Sequence, residues 1–164
     1  SLGLGWLVLV KYAIFIFISI CLFFIDIETY LLPFMLSLPL IFIGLGVSFF
    51  EGVFYNHLLA GAFGFLFLWM IRLISSWIYK REAMGFGDVI LLCAIGCFWG
   101  GKIVWLTFFM ASFLGGGYGA ISILLKKHKS SDMIAFGPFL IAGCFVSLLV
   151  GSTFDFLFPW LTDF

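Results

Sequence analysis

Polar and turn residues break an otherwise apolar chain into six runs, about Leu4–Ile25, Leu31–Phe50, Leu58–Tyr79, Val89–Trp99, Ile103–Leu125 and Met133–Val150. All but the fourth approach the roughly 20 apolar residues that a helix needs to cross a bilayer core. The fourth can span only if the glycine-containing stretch before it, or Gly100-Gly101-Lys102 after it, lies in the interfacial zone. The tail from Ser152 to Phe164 mixes phenylalanines with Trp160 and Asp155, which reads as an interfacial anchor. The pattern predicts an all-α integral membrane protein of about six transmembrane helices.

Composition points the same way. The chain is 65% hydrophobic and 10% charged, and 24 of its residues are Phe. A soluble domain of 164 residues has too much surface to hide that much apolar material, so its solvent is a lipid bilayer. Short connections leave no room for a separate soluble domain, and residues 1–164 are expected to form a single polytopic membrane domain. The first run lacks a basic leader and is too long for a signal peptide. The net charge is zero and no basic patch suggests a nucleic-acid partner. Cys21, Cys93, Cys97 and Cys144 all lie in apolar runs and read as small packing residues. His57 and His128 fall in loops, without neighbours at metal-ligand spacing, so no metal site is expected. Gly96 with Gly100, and Gly115 with Gly119, have the four-residue spacing that lets helix backbones approach, although the second set could instead bend its helix. Association into a homo-oligomer is left open.

Charge in the connections sets an orientation. The connections after the first, third and fifth runs carry Lys80, Arg81, Lys126, Lys127 and Lys129. The opposite side has Lys102 with acidic Glu51, Asp155 and Asp163, and Lys11 is inside the first run. The basic side is expected to be cytoplasmic, with the N-terminus outside.

Two aspartates fall on that basic side. Asp26 follows the first run in Phe24-Ile25-Asp26-Ile27-Glu28, and Asp88 closes Glu82-Ala83-Met84-Gly85-Phe86-Gly87-Asp88. Two neighbouring carboxylates can share one proton, since both do not ionise cheaply. The ionised one can then activate water while the protonated one donates to a carbonyl oxygen, which is the chemistry of peptide hydrolysis. Gly85 and Gly87 would let an extended backbone approach Asp88. Plainer readings stand beside this one: Asp88 as the N-cap of the fourth helix, and Asp26 as a wet loop residue among headgroups. Arg72, inside the third run, is a functional candidate or a side chain that snorkels to the headgroups. Glu28 and Glu82 could receive basic residues of a substrate or be solvated loop charges.

These stretches, Ile25-Asp26-Ile27-Glu28-Thr29-Tyr30-Leu31-Leu32-Pro33, Arg81 to Asp88 and Phe136-Gly137-Pro138-Phe139, together resemble the bacterial type IV prepilin peptidases, which are GxGD-type intramembrane aspartyl proteases. The resemblance runs over nearly the whole chain, in order. It implies an aspartic endopeptidase of the bacterial inner membrane, without metal or organic cofactor, whose catalytic residues are Asp26 and Asp88. Its substrates would be prepilins, or the pseudopilins of type II secretion, cut after a short basic leader at the cytoplasmic face. The N-terminal Cys-rich domain that goes with N-methylation in longer relatives is not in this sequence, so methyl transfer is not expected of it. Phe34 stands where many relatives have Asp or Asn, and Ile90 where many have Lys. The alternatives are a GxGD protease acting on other membrane-protein leaders and a non-catalytic scaffold that binds pilins.

Overall fold

The computed structural model describes residues 2–29, 34–79, 85–124 and 136–157. Among these are six helices: α1 (Leu2–Thr29), α2 (Phe34–Phe50), α3 (Phe54–Tyr79), α4 (Phe86–Trp99), α5 (Gly101–Leu124) and α6 (Gly137–Leu157). Helices satisfy every interior backbone group within the segment, which is what a chain without water around it requires. Three are long and apolar enough to cross a membrane: 9–29, 54–78 and 101–121. Shorter apolar stretches occupy 36–50, 86–99 and 137–151.

Helix ends account for the main departures from the sequence pattern. α1 runs four residues beyond Ile25, so Asp26 is helical rather than in a loop. α3 begins at Phe54, so His57 is also helical. The tail is helical as far as Leu157, where the sequence pattern suggests an interfacial anchor from Ser152 onward; the anchor's last residues and His128 lie outside the described residues. Between α2 and α3, Gly52 turns the chain at φ 75°. α4 stops at Gly100, at φ 80°, whose N–H donates to Gly96 O at 2.9 Å. Both angles are in the left-handed region that glycine enters at little cost.

α4 is the hub, buried on nearly every face. It packs most closely against α3 and α2 and also meets α5 and α6, while α5 and α6 form an extensive pair. Glycine makes the closest approaches. A Cβ on Gly96 would lie 2.7 Å from the backbone of Ala60 and Gly61 in α3, and one on Gly143 would lie 2.8 Å from Thr107 O and Ala111 N in α5. The tight α5–α6 contact is thus at Gly143. Gly115 meets ring atoms of Phe139 and Phe136 at ordinary distances, and Gly116 and Gly117 face open space. All four cysteines are free, and Cys97 Sγ fills the notch left by Gly61.

α1 packs on α2 and α6, and among the described residues its backbone stays clear of α4. Rings fill that gap at one end. Phe15 meets Phe98 at 5.3 Å, Trp99 at 5.5 Å and Phe145 at 6.3 Å between centroids. Beside them, Lys11 Nζ sits 2.8 Å from Glu51 Oε2 and 4.9 Å from the Trp99 ring centre. Ser48 Oγ ties three helices together there, 2.8 Å from Gly44 O, 3.1 Å from Cys97 O and 2.6 Å from His57 Nδ1. The far end of the same gap holds the two aspartates.

Candidate active site

Asp26 is on the inward face of α1, in line with Lys11, Phe15 and Leu22 at helical spacing. It is 3% exposed, and Asp88 is 5% exposed, so neither is a wet surface carboxylate. A buried carboxylate must find partners or carry a proton. The backbone N–H of Gly137, first residue of α6, donates to the Asp26 carboxylate. The other oxygen, Oδ2, is buried with no hydrogen-bond partner among the described residues. Pro138 costs α6 nothing here, since a first-turn N–H has no helical acceptor to lose. The sequence Phe136-Gly137-Pro138-Phe139 therefore acts on the site by aiming a helix N-terminus at Asp26.

Asp88 is the third residue of α4, not its cap. Gly85 occupies the N-cap with extended backbone (φ −65°, ψ 143°), and no side-chain oxygen caps the helix. The Asp88 carboxylate turns back toward the open side of Gly85, where an added Cβ would lie 3.6 Å from Oδ2. Gly85 is exposed and Gly87 buried. The charge of Asp26 acts on Asp88, so the structure brings the two aspartates into electrostatic range from different helices. The plain readings, a capping Asp88 and a wet Asp26, both give way to buried carboxylates, with the charge of Asp26 felt at Asp88.

The remaining candidates are distributed around this pair. Arg72, in α3, places its guanidinium 5.5 Å from the ring centre of Phe86, which also meets Phe65 edge-on at 6.1 Å. That cation–π contact links Arg72 to the first turn of α4 rather than to the headgroups alone. Glu28 is exposed in the last turn of α1. Glu82 lies outside the described residues. Ile90 is 8% exposed and part of the packed face of α4. Among the described residues, no three His, Cys, Asp or Glu side chains are grouped to hold a metal ion. The resemblance singles out the stretch Phe136-Gly137-Pro138-Phe139, but the apolar pattern does not signal that Gly137 meets Asp26. For the Lys11–Glu51 pair the available signal is Lys11 itself, a cation inside an apolar run that needs a partner.

A model of the type IV leader peptidase family matches residues 13–120. The chain belongs to that family. It is 35% identical over 131 residues to a prepilin leader peptidase/N-methyltransferase of Pseudomonas aeruginosa, covering 78% of this chain and 45% of the relative. To the protein of the same name from Aeromonas hydrophila it is 34% identical over 167 residues, covering 100% and 56%. The one from Dichelobacter nodosus is 34% identical over 150 residues, covering 90% and 51%. The chain thus spans about half the length of the curated relatives it matches. No solved structure matches it. As a member of this peptidase family with several apolar helices, it is a multi-pass membrane protein.

Proposed function

We propose that this chain is an intramembrane aspartic endopeptidase that removes the short basic leader from type IV prepilins or pseudopilins, with Asp26 and Asp88 as its catalytic dyad. The observation that carries the reading is a pair of buried carboxylates on different helices, the charge of one felt at the other, in a member of a leader peptidase family. In the proposed reaction the pair shares one proton. The ionised carboxylate takes a proton from water as its oxygen adds to the scissile carbonyl carbon, and the protonated carboxyl donates to the carbonyl oxygen. Collapse of the tetrahedral intermediate breaks the C–N bond, and the departing amine receives the proton taken from water. Gly85 and Gly87 would admit the extended substrate backbone beside Asp88, and exposed Glu28, with Glu82, would receive the leader's basic residues. Arg72 supports the first turn of α4 through Phe86. The basic connections that follow α1, α3 and α5 favour a cytoplasmic position for this end of the bundle, in the bacterial inner membrane. The peptidase step is assigned to this membrane-embedded chain.

The test is cleavage of a prepilin peptide by the purified chain in lipid, beside Asp26→Asn and Asp88→Asn. Each exchange nearly preserves size and removes the titratable group. A loss of at least about a thousandfold in both, roughly 4 kcal/mol of transition-state stabilisation, is the expected result. A folded parent that binds the peptide without cutting it would make the chain a pilin-binding scaffold.

A further inference from the structure

Two of the four buried serines among the described residues have a hydrogen-bond acceptor one turn back. Ser48 bonds Gly44 O at 2.8 Å and Ser147 bonds Gly143 O at 2.7 Å. Ser37 does not share this arrangement. It is 1% exposed, and its hydroxyl has no hydrogen-bond partner among the described residues. A buried hydroxyl left in that state calls for an explanation.

Its place in the fold supplies one. The connection between α1 and α2 covers only residues 30–33, so the helices are antiparallel neighbours. Asp26 stands three residues before the end of α1 and Ser37 three residues after the start of α2. Counted from the Lys11–Glu51 pair, Asp26 lies fifteen residues along α1 and Ser37 fourteen residues back along the other chain direction, about 22 Å and about 21 Å at 1.5 Å per residue, so both stand at nearly the same depth. Ser37 also shares one face of α2 with Leu40, Gly44 and Ser48. That face meets α4, because Gly44 touches Phe98 and Cys97, and Ser48 reaches Cys97 O. α2 and α4 run in the same direction. Moving seven residues toward the N-terminus from Gly44 and from Phe98 covers about 10 Å along each helix and pairs Ser37 with Leu91, one turn from Asp88. Ser37 is therefore level with Asp26 along the bundle and one turn from Asp88. Ser19 is also buried without a partner among the described residues, but it lies two turns deeper along α1 than Asp26.

We propose that Ser37 is a positioning residue of the dyad, its hydroxyl donating to Asp26 Oδ2 when substrate closes the site. One orphan is an acceptor and the other can donate, and catalytic hydrogen bonds are often long in an empty enzyme and tighten in the complex. With Gly137 N–H on one oxygen and Ser37 on the other, Asp26 is fixed in the plane in which it must meet water and Asp88. This rests on the protease reading above, and the test separates the two.

Ser37→Ala and Ser37→Thr are compared with the parent and Asp26→Asn for prepilin cleavage across pH, for thermal unfolding in detergent, and for the Asp26 carboxyl band in isotope-edited infrared spectra with a bound, uncleavable prepilin peptide. Expected for Ser37→Ala is a loss of about 10- to 100-fold in kcat, with KM within about threefold, a displaced pH–rate profile and a shifted Asp26 band. Ser37→Thr, which keeps the hydroxyl, should return to within about fivefold of the parent. The proposal is overturned if Ser37→Ala stays within about twofold of the parent with an unchanged pH profile, or if Ser37→Thr is as impaired as Ser37→Ala. In those cases Asp26→Asn, if inactive, leaves the protease reading standing. If the parent itself never cuts, that reading falls and the infrared band decides alone: a shift in Ser37→Ala upholds the pairing, and no shift overturns it.

Discussion

Gly96→Ala is the sharpest probe of how packing reaches the aspartates. The added methyl would lie 2.7 Å from three backbone atoms of α3, Ala60 C, Ala60 O and Gly61 N. Ordinary van der Waals contact begins near 3.4 Å, so the two helices must separate by several tenths of an ångström or more. No rotamer change relieves this, because the opposing atoms are backbone. Overpacking costs about 1–3 kcal/mol, and a backbone obstacle puts this site near the top, about 3 kcal/mol. Replacing glycine by alanine inside a helix returns about 1 kcal/mol of conformational entropy. The net expectation is destabilisation of about 2 kcal/mol. Gly116→Ala is the control, since its Cβ meets nothing within 4 Å and only the favourable entropy remains. The two variants should therefore differ by about 3 kcal/mol in reversible unfolding, measured in mixed micelles against denaturing detergent.

Activity should fall with it. α4 carries Asp88 two turns before Gly96, so a helix pushed off α3 carries its carboxylate away from the position that faces Asp26. A displacement of about 1 Å can cost about 100-fold in rate. Should Gly96→Ala prove as stable as Gly116→Ala, the close α3–α4 approach is wrong and α4 is not the rigid hub of the bundle.

Two further outcomes are expected. Lys11→Met and Glu51→Gln each strand the other member of a largely buried ion pair and should cost about 3 kcal/mol, the low end for breaking such pairs because Glu51 is one-fifth exposed. The double variant should cost clearly less than the sum, and strict additivity in the same unfolding assay would dissolve the pair. Gly137→Pro removes the N–H that Asp26 accepts, at a helix position that tolerates proline, whereas Gly137→Ala keeps it. Cleavage by the proline variant should be about 10- to 100-fold below the alanine variant, and equal rates would mean that the contact does not matter.

The order and number of helices are legible in the sequence because lipid leaves the backbone one local solution, and apolar runs record it directly. The two aspartates are legible as a pair because charge near the end of an apolar run is costly and demands a reason. What the runs do not convey is where helices stop. Asp26 and His57 look like loop residues because polar side chains resemble breaks, yet each is an inward-facing residue of a helix that continues past it. Glycine spacing is equally ambiguous. Gly96 does sit at a backbone contact, as its spacing suggests, but Gly100 ends α4 instead, and the tightest contact of α5 belongs to Gly143 on another helix. A repeat of small residues shows that close approach is sterically allowed; only the partner helix decides whether it occurs.

The two ends of the α1–α4 gap differ in a way that bears on catalysis. At one end Phe15, Phe98 and Trp99 fill the space, and Lys11 is neutralised by Glu51. At the other, buried carboxylates face the same gap, and one oxygen of Asp26 has no partner among the described residues. The filled end can hold α1 at a set distance without bringing its backbone against α4. That distance is what the proposed aspartic peptidase needs, because a substrate backbone and a water molecule must both enter between the aspartates. A bundle packed helix to helix along its full length would bring the carboxyls together and leave nowhere for the peptide. On this view the Lys11–Glu51 pair, far from the chemistry, is a spacer whose loss should lower cleavage even in variants that remain folded.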